Sequence, residues 1–172
     1  MDSYESHDEY FHRDVTDWLR SLQNQISQSC ISVTDPFDDS FTYEYFKGSL
    51  KGKKGQIKAF MMDQKNIAGI GNMYMHDILF KAKLHPQKKI SDMKESDINK
   101  LYDSMMFILR YSESKGAFAY EADIFGNKGE FTLDDFLIGY KEGKPCPECG
   151  TLIEQIKAGG TSTFLCVKCQ QI

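Results

Sequence analysis

Long apolar runs are missing from this 172-residue chain: no stretch approaches the roughly 18 apolar residues that a membrane span requires. The opening MDSYESHDEY is acidic and lacks the basic-then-apolar order of a secretory leader. These absences predict a soluble cytoplasmic protein with no membrane partner. Cysteine is sparse and unevenly placed. Cys30 stands alone and reads as a buried or indifferent thiol, while Cys146, Cys149, Cys166 and Cys169 form two close pairs near the end of the chain. In a reducing compartment such pairs hold metal more often than disulfides. The four histidines show neither metal nor triad spacing, so each reads as structural or exposed. There is no internal repeat and no low-complexity tract. A hydrophobic content of 41% with 13% aromatics is enough to build a packed core, which excludes disorder throughout.

The net charge of −4 argues against a nucleic-acid partner only as an average. Residues Met1 to Phe46 sum to −8, Lys47 to Lys89 to +8, and the remainder to −4. A basic block between acidic flanks is the footprint expected where a protein meets phosphate, although a lysine run by itself is also an ordinary solvated surface.

Hydrophobic periodicity divides the chain into three parts: an acidic amphipathic extension over 1–34, a helical domain over 35–140 and a metal-binding ribbon over 141–172. In the first, Phe11, Val15, Trp18, Leu19, Leu22 and Ile26 recur at helical spacing over residues 8–28. In the second, Asp39 or Ser40 is positioned to cap a helix from about Phe41 to Leu50. A helix from about Gln56 to Asp63 then meets the glycine-bearing turn Ala68-Gly69-Ile70-Gly71-Asn72, and another helix runs from there towards His85-Pro86. Ser91 or Ser96 can cap a further helix over Asp97 to Ser112, with Ile98, Leu101, Met105, Ile108 and Leu109 as its core stripe. Residues 115–130 lack a period and read as a long loop. The fold expected is mainly α, a helix-turn-helix core followed by a small β ribbon of two hairpins.

The pattern Cys146-x2-Cys149, sixteen residues, Cys166-x2-Cys169 matches the spacing of closed structural zinc sites with four thiolate ligands. One structural Zn2+ is expected, with no open coordination position for catalysis and with ribbon folding dependent on the metal. Upstream, Gly69 and Gly71 allow the backbone to approach a partner closely. Asn72 and the exposed amides of the following helix can donate to phosphate, with Lys53, Lys54 and Lys58 nearby.

The segments DQKNIAGIGNMYMHDILFKAKLHP and GKPCPECGTLIEQIKAGGTSTFLCVKCQ together resemble the C-terminal half of formamidopyrimidine-DNA glycosylases and endonuclease VIII, from about Asp35 to Gln170. The resemblance implies a helix-two-turn-helix module and a zinc ribbon gripping the phosphates of damaged or abasic double-stranded DNA in a bacterial, nucleoid-associated setting. It makes Asn72 the phosphate-binding asparagine and Lys58 the lysine near the lesion. Residues 116–129 take the place of the loop that closes over a flipped base. Two features depart from the family. Its N-terminal proline nucleophile and neighbouring glutamate have no counterpart, since no proline precedes Pro36, so no catalytic residue is assigned. The arginine five residues before the third cysteine is replaced by Thr161, which can donate a hydrogen bond to phosphate but carries no charge. The expectation is a DNA-binding module without the catalytic domain; the alternatives are a fragment of an active glycosylase/AP lyase or a zinc-ribbon adaptor whose N-terminal helix engages a protein partner.

Overall fold

A computed structural model describes residues 33–116, 119 and 125–172. The expected helix over 8–28, Cys30, His7, His12 and part of the 116–129 loop lie outside the described residues.

The chain enters through a tight turn in which Asp35 and Asp38 are both engaged. Asp38 Oδ2 accepts from Asp35 N at 3.1 Å and Asp35 Oδ1 accepts from Phe37 N at 2.9 Å. The first described helix begins later than the sequence suggests, as α1, Tyr43–Leu50. Its cap is Thr42, whose Oγ1 accepts from Tyr45 N at 3.2 Å, rather than Asp39 or Ser40. Phe41 is instead drawn into the core ahead of the helix, which moves the start downstream. Helix α2, Ile57–Met62, leads into the glycine turn, and α3, Asn72–Lys81, follows with Gly71 as N-cap. Lys83, at φ 59°, ends that run, and after a turn closed by Lys88 N to His85 O at 3.0 Å the chain returns so that Ile57 N donates to Lys88 O at 2.9 Å. A 3₁₀ turn at Ile90–Asp92 precedes α4, Glu95–Ser114. Neither expected serine caps α4. Ser91 Oγ bonds to Asp92, and the N-terminal bond is made by Asp97, which accepts from Lys94 N at 3.1 Å.

Residues 75 to 80 of α3 are all buried, which marks it as the central helix. Met75, Ile78 and Leu79 join Phe46, Ile57, Met61, Leu101 and Met105 in the main core. Of the expected α4 stripe, Leu101, Met105, Ile108 and Leu109 are buried there and Ile98 packs at its edge. Phe80 looks the other way, into a second cluster with Ile138, Ile153, Phe164, Cys146 and Cys166. Burying a side chain of this size contributes on the order of 2 kcal/mol, so α3 supports both cores. Residues Thr34–Ile172 accordingly form one compact unit.

The ribbon contains one hairpin, not two. Strands β1, Glu154–Ala158, and β2, Thr161–Leu165, pair antiparallel with Ala158 opposite Thr161. The loop residues Gly159 and Gly160 have φ of 59° and 79°, the left-handed geometry that two-residue hairpin turns require. Around the first cysteine pair the pairing is reduced to a single bridge between Pro145 and Leu152. There the chain curls into a knuckle closed by Gly150 N to Cys146 O at 2.9 Å and Cys146 N to Thr151 O at 2.8 Å. No described helix is long and apolar enough to cross a membrane.

Candidate nucleic-acid interface and metal centre

The four Sγ atoms of Cys146, Cys149, Cys166 and Cys169 lie within 4.8 Å of one another, with Cys146 to Cys169 at 3.9 Å and Cys149 to Cys166 at 3.4 Å. Four sulfurs so arranged fit a tetrahedral zinc at its usual Zn–S distance of about 2.3 Å. Thiolates fill all four positions, so the site is structural and holds one Zn2+. Gln170, itself buried, locks the knuckle to the helices: Oε1 accepts from Cys166 N at 3.0 Å and Nε2 donates to Leu84 O at 2.9 Å.

The tip of the β1–β2 hairpin lies against α2 and the start of α3. An ideal Cβ on Gly159 would sit 3.5 Å from the Ala59 backbone, so the hairpin turn closes directly onto α2. This brings together three side chains singled out in the sequence. Lys58, without exposed surface, extends from α2 under the hairpin and donates to Ala158 O at 3.1 Å, to Thr161 Oγ1 at 2.6 Å and to Thr163 Oγ1. Thr161 Oγ1 donates to Asn72 Oδ1 at 3.0 Å, and Asn72 Nδ2 donates to Ser162 O at 3.2 Å. Lys58, Asn72 and Thr161 thus form one hydrogen-bonded row, although about 90 to 100 positions separate the ribbon from its partners. Burial pushes the Lys58 ammonium down to about 8.

Gly69, at φ 78°, sits in the turn, and its N–H donates to Gln64 Oε1 at 2.9 Å. Gly71 is exposed with open space around its Cα and provides no capping side chain at the start of α3. Lys54 is exposed on the α1–α2 loop beside Lys51 and Lys53. The basic block is thinner than its sequence count suggests. Lys47, Lys83 and Lys88 pair with Glu95, Glu148 and Asp97, and Lys58 is enclosed.

Sequence reasoning did not find Thr163, and it left His76 as either structural or exposed. Thr163 was within reach, because it stands two residues from Thr161 and so shares its face of a strand. His76 is wholly buried; its Nδ1 accepts from Phe164 N at 3.3 Å, its Nε2 has no described partner, and Tyr140 and Phe164 meet its ring edge-on. Burial, and secondarily the Lys58 charge, bring it down to about 4, so the ring is neutral at physiological pH.

A glycine turn between two helices and a hairpin carried on a four-cysteine zinc ribbon define a helix-two-turn-helix protein with an appended zinc finger. The family model described as the formamidopyrimidine-DNA glycosylase H2TH domain matches residues 33–120, and that of the zinc finger found in FPG and IleRS matches 143–172. The chain belongs to the formamidopyrimidine-DNA glycosylase family. It is 34% identical over 155 residues to the formamidopyrimidine-DNA glycosylase of Mycoplasma mobile, a match covering 90% of this chain and 57% of that protein. The Prochlorococcus marinus enzyme is 39% identical over 139 residues, covering 79% and 48% respectively. Among solved structures, Lactococcus lactis Fpg in complex with DNA containing an abasic site superposes with a TM-score of 0.76 at 28% identity, over 89% of this chain and 56% of that one. The MutM (Fpg) protein of Thermus thermophilus superposes with a TM-score of 0.72 at 28% identity, over 80% and 53%. The chain therefore spans about half the length of the relatives it matches.

Proposed function

We propose that this chain is the DNA-gripping portion of a base-excision-repair glycosylase, holding the phosphates of double-stranded DNA at a damaged or abasic site. The observation that carries the reading is the convergence of Asn72, Thr161 and Lys58 at the start of α3. A helix N-terminus without a capping side chain, a carboxamide donor at its first residue and an exposed glycine beside it suit an oxygen-rich anion. Lys54, with Lys51 and Lys53, adds charge that attracts the duplex without reading bases. Gly71, with nothing within 4 Å of an added Cβ, lets the backbone come close. The zinc ribbon holds the hairpin carrying Thr161 against this face.

We assign this portion the grip and not the bond cleavage. Lys58 is the lysine whose amine burial depresses, yet it is enclosed and fully hydrogen-bonded, which disfavours it as a nucleophile. Binding of the zinc-loaded chain to a short duplex bearing an abasic-site analogue, and to its undamaged twin across a salt series, tests the proposal. Tighter binding to the lesion with affinity falling steeply in salt is expected; no binding to either duplex at low salt would overturn it.

A further inference from the structure

We infer that Lys58 is a positioning residue, which fixes the orientation of the Asn72 carboxamide through the Thr161 hydroxyl and does not itself touch DNA. The inference rests on the reading that Asn72 meets phosphate. It follows from an inventory of protons. An ammonium has three N–H donors and no acceptor. All three from Lys58 have acceptors inside the fold, on Ala158 O, Thr161 Oγ1 and Thr163 Oγ1, and the side chain has no exposed surface. No Lys58 proton is left for a phosphate.

Thr161 Oγ1 must therefore accept from Lys58, and its single proton is directed elsewhere. Two acceptors are within reach, Asn72 Oδ1 at 3.0 Å and Met62 Sδ at 4.0 Å. The carboxamide oxygen is nearer and stronger, since a thioether accepts only weakly. Asn72 Oδ1 thus faces Thr161, which turns Nδ2 towards Ser162 O at 3.2 Å. The flipped carboxamide would set Oδ1 against the Ser162 carbonyl, two acceptors with no proton between them. Both neighbours select the same orientation. It leaves the second Nδ2 proton available at the first residue of α3, at the N-terminal end of the helix. A buried cation at one end of the row thus determines which atom of Asn72 is offered to an anion at the other.

The test uses the full zinc-loaded chain and a duplex with a tetrahydrofuran abasic analogue. Lys58→Met, Thr161→Val and Asn72→Ala are each expected to weaken binding roughly tenfold, as loss of one charge-assisted hydrogen bond would. The Lys58→Met/Asn72→Ala double variant should bind about as well as either single one. Thr161→Ser, which keeps the hydroxyl, should bind like the wild type. The dependence of affinity on salt should be unchanged in Lys58→Met. A log–log salt slope smaller by about 0.9, the signature of one lost phosphate contact, would overturn the inference. So would independent, multiplying effects of Lys58→Met and Asn72→Ala. If Lys58→Met does not fold, Thr161→Val with Asn72→Ala carries the same coupling test. In the DNA-free protein, the Asn72 side-chain amide resonances should shift in Thr161→Val and return in Thr161→Ser; an unaltered signal in Thr161→Val would also sink the idea. Because that readout needs no DNA, failure of the phosphate reading and failure of the positioning role are separable.

Discussion

Asp77, on the central helix α3, receives the backbone N–H of Ile138 at 2.9 Å across 61 positions of chain. The same carboxylate accepts from Leu137 N at 2.6 Å and Gly139 N at 2.9 Å, so one buried side chain pins the bend leading into the ribbon. Burial pushes its carboxyl up, against the pull of the three amide donors. Asp77→Leu would leave those amides unpaired in a low-dielectric site and is expected to cost about 3 kcal/mol of stability. Asp77→Asn should cost less, because Oδ1 can still accept from Ile138 and Gly139 while its NH2 faces the Leu137 amide. Denaturant titration of both variants checks the order; an Asp77→Leu variant as stable as the wild type would refute the pinning role.

Zinc removal should act on the hairpin more than on the helices. The main core around Met75, Leu79 and Met105 contains no cysteine, whereas the second cluster includes Cys146 and Cys166. A strong chelator is expected to collapse the dispersed amide signals of residues 154–165 while most helical ellipticity remains, and to abolish DNA binding with them. Persistence of the hairpin signals in metal-free protein would contradict this.

His76 gives the fold an acid-sensitive point. Its folded-state value of about 4 lies below the 6.5 of a free histidine. The unfolded chain therefore takes up a proton first, and stability is lost as pH falls from 6.5 to 4, by about 3 kcal/mol for a shift of this size. His76→Gln retains an acceptor for Phe164 N but does not titrate. The wild type should lose more stability than this variant across that window in parallel chemical melts, and identical pH profiles would count against the assignment.

What the sequence made legible was the part written in local chemistry. The cysteine spacing specified the metal site, and the glycines with Asn72 marked the start of α3, because both signals lie within a few residues of the atoms that matter. The caps were misplaced where several candidates competed: Thr42, not Asp39 or Ser40, accepts at the start of α1, and Ser91 bonds to Asp92 while Asp97 accepts from Lys94 N at the start of α4. The state of Lys58 was not legible at all. Whether a lysine faces solvent or lies beneath a hairpin depends on Gly159 closing onto Ala59, a contact made a hundred positions away. For the same reason the charge count overstated the basic face, since pairing partners such as Glu95 and Glu148 are remote in sequence.

The two glycines of the turn should separate stability from binding. Gly69 holds φ 78°, and a Cβ there would fall 2.7 Å from Asp35 Oδ2, whose carboxylate is held by the Phe37 amide. Gly69→Ala thus meets both left-handed strain and a clash, and a loss of about 2 kcal/mol is expected in thermal or chemical melts. Gly71 has extended backbone, φ −101° and ψ 173°, with nothing within 4 Å of an added Cβ. Gly71→Ala should cost less than about 1 kcal/mol, because only a modest N-cap preference is lost. If DNA approaches this turn as proposed, the new methyl group stands where the phosphate backbone must pass, so affinity for an abasic duplex should fall while the melting curve barely moves. Binding equal to wild type in Gly71→Ala would mean that the duplex lies elsewhere on the molecule, and that the exposed glycine serves only the entry into α3.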